Sequence, residues 1–208
     1  NGGFPIGRYD GRPLDADGRD LAQALEAIGP VEVTQNLRGK RFSKLAINCA
    51  ISSIGTLAGE RLGPLMQHRF IRRLALEIMT ETVEVARREG VALEKVSGTI
   101  DLEWIALTPE EREAVGSSGL FAKHGLLLAV GFRYRRMRSS MLQAIERGRA
   151  PAVDFLNGEV VALGERHGVP TPVNRAVLDE VWRLARGEST AGLPLVRKVF
   201  DATGPHGA

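Results

Sequence analysis

The chain has 208 residues, 43% of them hydrophobic and 25% charged, with a net charge of only +3. That length suits one ordinary domain with a real core, and the balance excludes a disordered or membrane-embedded chain. The basic excess is local, at Arg72, Arg73, Arg87, Arg88 and the run from Arg133 to Arg138, and aromatics make up 5%, so a nucleic-acid partner is not expected.

The start, NGGFPIGRYDG, has no basic-then-apolar leader, and no apolar run reaches the roughly 18 residues that span a bilayer. The single cysteine, Cys49, allows no internal disulfide and suits a reducing compartment, so a cytoplasmic protein without a membrane partner is expected. Phe4 to Gly7 followed by Tyr9-Asp10-Gly11 reads as strand and turn, Leu14 to Ile28 as a helix, and Val31 to Val33 as a second strand. Two lone strands make no stable sheet, so residues 1–35 are expected to be the end of an upstream α/β domain. Residues 36–187 read as a helical domain and 188–208 as a tail with a marginal helix at Pro194 to Ala202.

Within the helical part, the spacing predicts helices over Phe42–Leu57, Leu65–Glu89, Leu120–Arg138, Met141–Arg147, Val153–His167 and Val173–Arg186. Thr108-Pro109-Glu110-Glu111 opens a short one with a cap and a proline in the first turn. Gly90 and Gly168 stand where helices close. The fold class is therefore mainly α.

The most informative stretch is SKLAINCAISSIGTL, Ser43 to Leu57. On a helix, Lys44, Asn48 and Ser52 stack one turn apart, rising about 6 Å per step, and Thr56 extends the row. Nearly everything else there is apolar or small, so the expectation is a buried helix whose polar stripe faces partners, a cavity or a ligand. Lys44 has two readings: a functional ammonium in a cleft, or a lysine whose stem packs while its head reaches water. Asn48 reads as a site amide or as a satisfied core amide. Ser140 reads as a ligand contact or as a plain helix cap. No G-x-G-x-x-G turn, phosphate loop, nucleophile elbow or metal-ligand spacing occurs, and the four histidines are scattered.

Together these residues resemble the C-terminal domain of the ketopantoate reductase (2-dehydropantoate 2-reductase) family. Its central-helix pattern K-L-x-x-N is met by Lys44, Leu45 and Asn48. Its later signatures S-S-M-x-Q, D-x-x-N-G and G-x-x-x-P-x-N are met in order by Ser139, Ser140, Met141, Gln143, Asp154, Asn157, Gly158, Gly168, Pro172 and Asn174. The resemblance implies a helical domain of the 6-phosphogluconate dehydrogenase C-terminal-like type. It also implies an NADPH-dependent reductase of a 2-keto acid, with NADP held mainly by an upstream Rossmann domain, and a homodimer. By carry-over Lys44 is the general acid, Asn48 and Ser52 bind substrate, and Ser140 binds the substrate carboxylate. Asp154, Asn157 and Asn174 are expected in structural roles. The sequence departs from the family at Ser52 and Ser53 for Asn-Pro, at Ala144 for Asp, and at Ala152 for Glu. A methyl group accepts no hydrogen bond, so a keto acid other than ketopantoate becomes a candidate substrate. The insert around Asp101 to Ser118, with Trp104, is expected to reshape the mouth of the cleft. Ala152 and Ser52 also support an alternative, a non-catalytic helical interaction domain that keeps the scaffold.

Overall fold

The computed structural model describes residues 3–96, 100–114 and 116–204. β1 (Phe4–Ile6) and β2 (Val31–Val33) pair in parallel, Phe4 opposite Val31 and Ile6 opposite Val33. α1 (Ala16–Glu26) connects them, capped by the Asp15 carboxylate on Gly18 N–H. This small unit buries only Ala22 of its helix and leaves Leu21, Ile28 and Val33 exposed.

The rest is helical. α2 (Leu37–Ala58) and α4 (Arg69–Arg88) form the central pair, with α3 (Leu62–Gln67) between them in the chain. α5 (Leu102–Ile105) and α6 (Pro109–Glu113) are short, and α7 (Ser118–Arg133) is long. They are followed by α8 (Ser140–Glu146), a 3₁₀ turn at Ala152–Phe155, α9 (Asn157–His167), α10 (Pro172–Ala185) and α11 (Leu193–Thr203).

The caps explain the boundaries. α2 begins five residues before the expected Phe42 because the Asn36 side chain accepts from Gly39 N–H at 2.9 Å. It ends at Gly59, whose φ of 70° is the left-handed conformation that glycine adopts freely. α6 carries a full capping box between Thr108 and Glu111. The helix expected over Leu65–Glu89 is two helices, broken at His68, whose ψ of 121° is extended. The apolar period runs on through that break, which hides it from the sequence. The helix expected to Arg138 ends at Arg133. The following turn is held from outside, where Arg135 and Met137 carbonyls accept from Gly63 and Leu62 N–H.

The core lies between α2, α4, α9, α10 and α11. Ile54, Leu57, Leu74, Leu76 and Ile78 are fully buried there, each such side chain contributing roughly 1.5–3 kcal/mol. α11 is no marginal tail element, since Val196, Val199 and Phe200 are buried against α2 and α4. Arg73 is also buried, and every end of its guanidinium is used. Nε reaches Glu77 at 2.9 Å, and the two Nη groups reach the Glu111 and Arg112 carbonyls at 3.0 and 2.8 Å. That completeness makes a buried cation tolerable.

A buried polar network ties four helices together. Ser53 Oγ donates to Asn157 Oδ1 at 2.5 Å, and Asn157 Nδ2 donates to the Cys49 carbonyl at 3.3 Å and to Asn174 Oδ1 at 2.9 Å. Asn174 Nδ2 donates to the Ile78 carbonyl at 3.2 Å and to Glu81 Oε2 at 2.7 Å. The Glu81 carboxylate also accepts Val173 and Asn174 N–H at 2.8 and 2.9 Å, capping α10. Burial nevertheless raises Glu81 to about 7, against the lowering effect of those donors. Asp154, expected in a structural role, stands in the first turn of the 3₁₀ segment and accepts from Trp182 Nε1 at 2.7 Å.

Candidate active site

α2 is not buried along its length. Its last six residues, Ser53 to Ala58, are buried, while Lys44 is exposed and Asn48 and Ser52 are half-buried. The expectation of a buried helix is thus corrected for its first turns. In the first turns of α2 one side is held by residues 89–94, where Ser43 accepts Glu94 N–H at 3.0 Å, while the Lys44 side is bare, so the polar stripe climbs from core to surface.

Two hollows lie along the stripe and share Asn48. The outer one, about 530 Å³, is lined by Arg41, Lys44 and Asn48 of α2, with Tyr9, Phe155 and Glu159 opposite. The inner one, about 350 Å³, is lined by Asn48, Ile51, Ser52 and Gly55 of α2, by Val96 and Ile100, and by Tyr134 and Ser140. Val96 and Ile100 face each other through an antiparallel bridge at 2.9 and 3.0 Å. Gly55 allows α8 to sit close, because a methyl group there would stand 3.3 Å from Ser139 Cβ.

The polar side chains of this region fall into two sets. Ser53, Thr56, Ser139 and Asn157 are tied up internally. The Thr56 and Ser139 hydroxyls meet at 2.8 Å, and both lie within reach of the Ser52 carbonyl. The side chains of Lys44, Asn48, Ser52 and Ser140, by contrast, make no hydrogen bond or ion pair with any described residue, and all four line the hollows. The helix cap of α8 is Ser139, whose Oγ accepts Leu142 N–H at 3.4 Å, so Ser140 is left free as the first helical residue. The plain-cap role therefore belongs to Ser139.

The base of the outer hollow is braced by charge. Arg38 pairs with Glu89 at 3.1 Å, and Glu89 also meets His167 at 2.7 Å, which with its arginine neighbours lowers the Glu89 carboxyl. Arg38 lies over the Tyr9 ring at 5.2 Å. Arg41, one turn before Lys44, faces the same hollow; extending the Lys44 row backwards by three residues finds it in the sequence.

Two expectations about the surroundings are corrected. The 101–118 segment lines neither hollow; its Trp104 stacks near Lys123 at 5.9 Å instead. The wall it was expected to supply comes from Val96 and Ile100, which carry no periodic signal. Ala152 is exposed on the 3₁₀ turn and lines neither hollow, though Phe155 and Leu156 of the same stretch do. Cys49, fully buried, has its thiol pushed up by burial and takes no part. Among the described residues no His, Cys, Asp or Glu group is arranged to hold a metal ion.

Fold and site together define a helical domain that offers one polar wall of an open cleft. The sequence model of the family described as ketopantoate reductase PanE/ApbA C terminal matches residues 36–185, and the chain belongs to that family. It is 24% identical over 161 residues to the 2-dehydropantoate 2-reductase of Pyrococcus horikoshii, an alignment covering 77% of this chain and 44% of that protein. The crystal structure of a PanE/ApbA family ketopantoate reductase from Ralstonia eutropha superposes with a TM-score of 0.64 at 26% identity, covering 90% of this chain and 53% of that one. The ternary structure of D-mandelate dehydrogenase with NADH and anilino(oxo)acetate shares the fold, at 17% identity and a TM-score of 0.59, over 90% and 49% of the two chains. The chain thus spans about half the length of the relatives it matches. No described helix is long and apolar enough to cross a membrane.

Proposed function

We propose that this chain is the substrate-side domain of an NADPH-dependent reductase of a 2-keto acid. The observation that carries the reading is the set of four unpartnered polar side chains, Lys44, Asn48, Ser52 and Ser140, along two hollows that meet at Asn48. The reductases this chain resembles support the reaction class.

The described residues contain no glycine-rich strand-to-helix turn, so they form no cradle for a dinucleotide pyrophosphate. NADP would be held mainly by the upstream Rossmann domain that the resemblance implies, and when bound it supplies the hydride. The remaining chemistry belongs to this chain. Reduction at C2 of the keto acid leaves an alkoxide oxygen that needs a proton. Lys44 Nζ donates it, as a positioned general acid on the first exposed turns of α2. Asn48, one turn on, donates its amide N–H to a substrate oxygen from the junction of the two hollows. Ser52 and Ser140 donate hydroxyl hydrogens to the carboxylate in the inner hollow. Ile47, Ile51, Val96 and Ile100 give that hollow an apolar side for the alkyl group.

Ser52, shorter than the asparagine of the family pattern, leaves more room in the inner hollow, so 2-keto acids other than ketopantoate belong to the proposed substrate range. A cytoplasmic homodimer completes the proposal. The test is steady-state kinetics on the whole protein with NADPH and a panel of branched and unbranched 2-keto acids. Lys44→Ala is expected to lower kcat roughly 10²- to 10⁴-fold, the usual worth of a general acid. Turnover by Lys44→Ala at the parent rate would refute the assignment. A parent protein that oxidises NADPH with no 2-keto acid would favour the non-catalytic interaction domain.

A further inference from the structure

A third hollow, about 640 Å³, opens between the first turns of α4 and the first half of α7, and it shares no residue with the other two. Arg69 and Arg72 stand on the α4 side; Ser117, Phe121, His124 and Leu128 stand on the α7 side. His124 is only 8% exposed, and neither of its ring nitrogens has a hydrogen-bond partner. Nε of Arg72 is likewise buried and unpartnered, although its Nη1 donates to the Met66 carbonyl and, at 3.0 Å, to that of Gln67. Arg38 and Arg112 also carry a buried Nε without a hydrogen-bond partner, but among the described residues only His124 is a buried ring with both nitrogens idle, and its hollow is the one that Arg72 shares, which points to a missing partner there.

The electrostatics agree. Burial, then Arg72, Arg69 and Arg73, push His124 down to about 4. Arg73 is compensated by Glu77 and points elsewhere, and Lys123, the neighbour on α7, is matched by Glu111 of α6. Among the described residues no carboxylate lines the hollow. The positive end of the sixteen-residue α7 opens beside it. Phe121, 81% exposed, and Leu128 give the same hollow an apolar lip.

We propose that this hollow binds a small organic oxyanion, a carboxylate or phosphate ester on an apolar body, with Arg69, Arg72 and His124 around the head group and Phe121 and Leu128 against the body. An oxyanion supplies the acceptors that Arg72 Nε–H and the imidazole N–H lack. The site stands apart from the reductase reading, since no residue is common to both.

The experiment follows the His124 ring signals of the 208-residue chain by NMR at fixed ionic strength. Phenyl phosphate, phenylacetate and neutral benzyl alcohol are titrated separately. At least one anion is expected to give a saturable shift and benzyl alcohol none, and the stronger anion identifies the head group. His124→Gln and Arg72→Lys are expected to weaken that anion about tenfold or more, as loss of a charged hydrogen bond does. Arg72→Lys is included because Arg72→Gln would also strip the α3 carbonyls of their donor; circular dichroism confirms that each variant is folded. Bound anion raises the imidazole's proton affinity, so binding takes up a proton and should tighten as the pH falls from 7 towards 5. The proposal is overturned if no anion saturates, if benzyl alcohol binds as tightly as the anions, or if both variants bind like the parent. It is also overturned if sedimentation shows a dimer whose formation alone moves the His124 signals.

Discussion

Replacing Asn157 with alanine should cost about 3 kcal/mol of stability, and the figure can be built group by group. The amide is fully buried and holds three partners. When it is removed, the Ser53 hydroxyl can turn to the Cys49 carbonyl one helical turn back, so those two groups largely rescue each other. Asn174 Oδ1 has no such alternative. A stranded buried acceptor costs roughly 1–3 kcal/mol, and the small cavity adds to it. For a chain of this size the sum corresponds to a fall in Tm of roughly 10 °C. Urea unfolding followed by circular dichroism measures it, with Asn174→Ala and the double variant completing a cycle. The double variant should lose less than the sum of the singles by about 1 kcal/mol, because the first change already breaks the shared bond. A loss below about 1 kcal/mol for Asn157→Ala, or strict additivity, would refute the network as a stabilising unit.

Glu81 gives a pH signature. Its folded value, about 7, lies above the 4.5 of an ordinary glutamate, so the folded chain holds a proton that the unfolded chain releases. Its contribution is full below pH 4.5 and is lost as the pH rises towards 7, by at most about 3 kcal/mol. Glu81→Gln should flatten that part of the stability curve measured by denaturant unfolding; an unchanged slope would exclude Glu81 as its source. Gly131→Ala places a methyl group 2.3 Å from Met66 Cβ, where α3 crosses α7. Overpacking of about 1–3 kcal/mol should exceed the gain in helix propensity and lower Tm, whereas a raised Tm would contradict this crossing. The Cys49 thiol, buried and held protonated, should react with an aromatic disulfide reagent only as fast as the chain opens. Rapid labelling of the native chain would show otherwise.

The helices were legible wherever an apolar period met a cap: Thr108 before α6, Gly90 after α4 and Gly168 after α9 stand at the boundaries the sequence suggests. Position along the core was not legible. The composition of α2 reads as buried throughout, yet burial depends on which neighbours reach each turn, and none covers Lys44. The family signatures were legible as a pattern but mixed in meaning. Asn157 and Asn174 hold helices together, while Lys44, Asn48 and Ser140 face open space, and spacing alone cannot separate the two. Val96 and Ile100 gave no signal, because a short bridge over a cleft has neither a period of 3.6 nor an alternating run. His124 looked like one of four scattered histidines; only its lack of any partner in the folded chain sets it apart.

The gradient along α2 divides labour within a single helix. Its deep end is gripped by neighbours on every side and anchors the fold, while the shallow end is a stiff peg held along one side and bare along the Lys44 side. Side chains on that peg can be exchanged at little thermal cost, so chemistry and preference for one acid over another can be retuned there while the scaffold beneath stays whole.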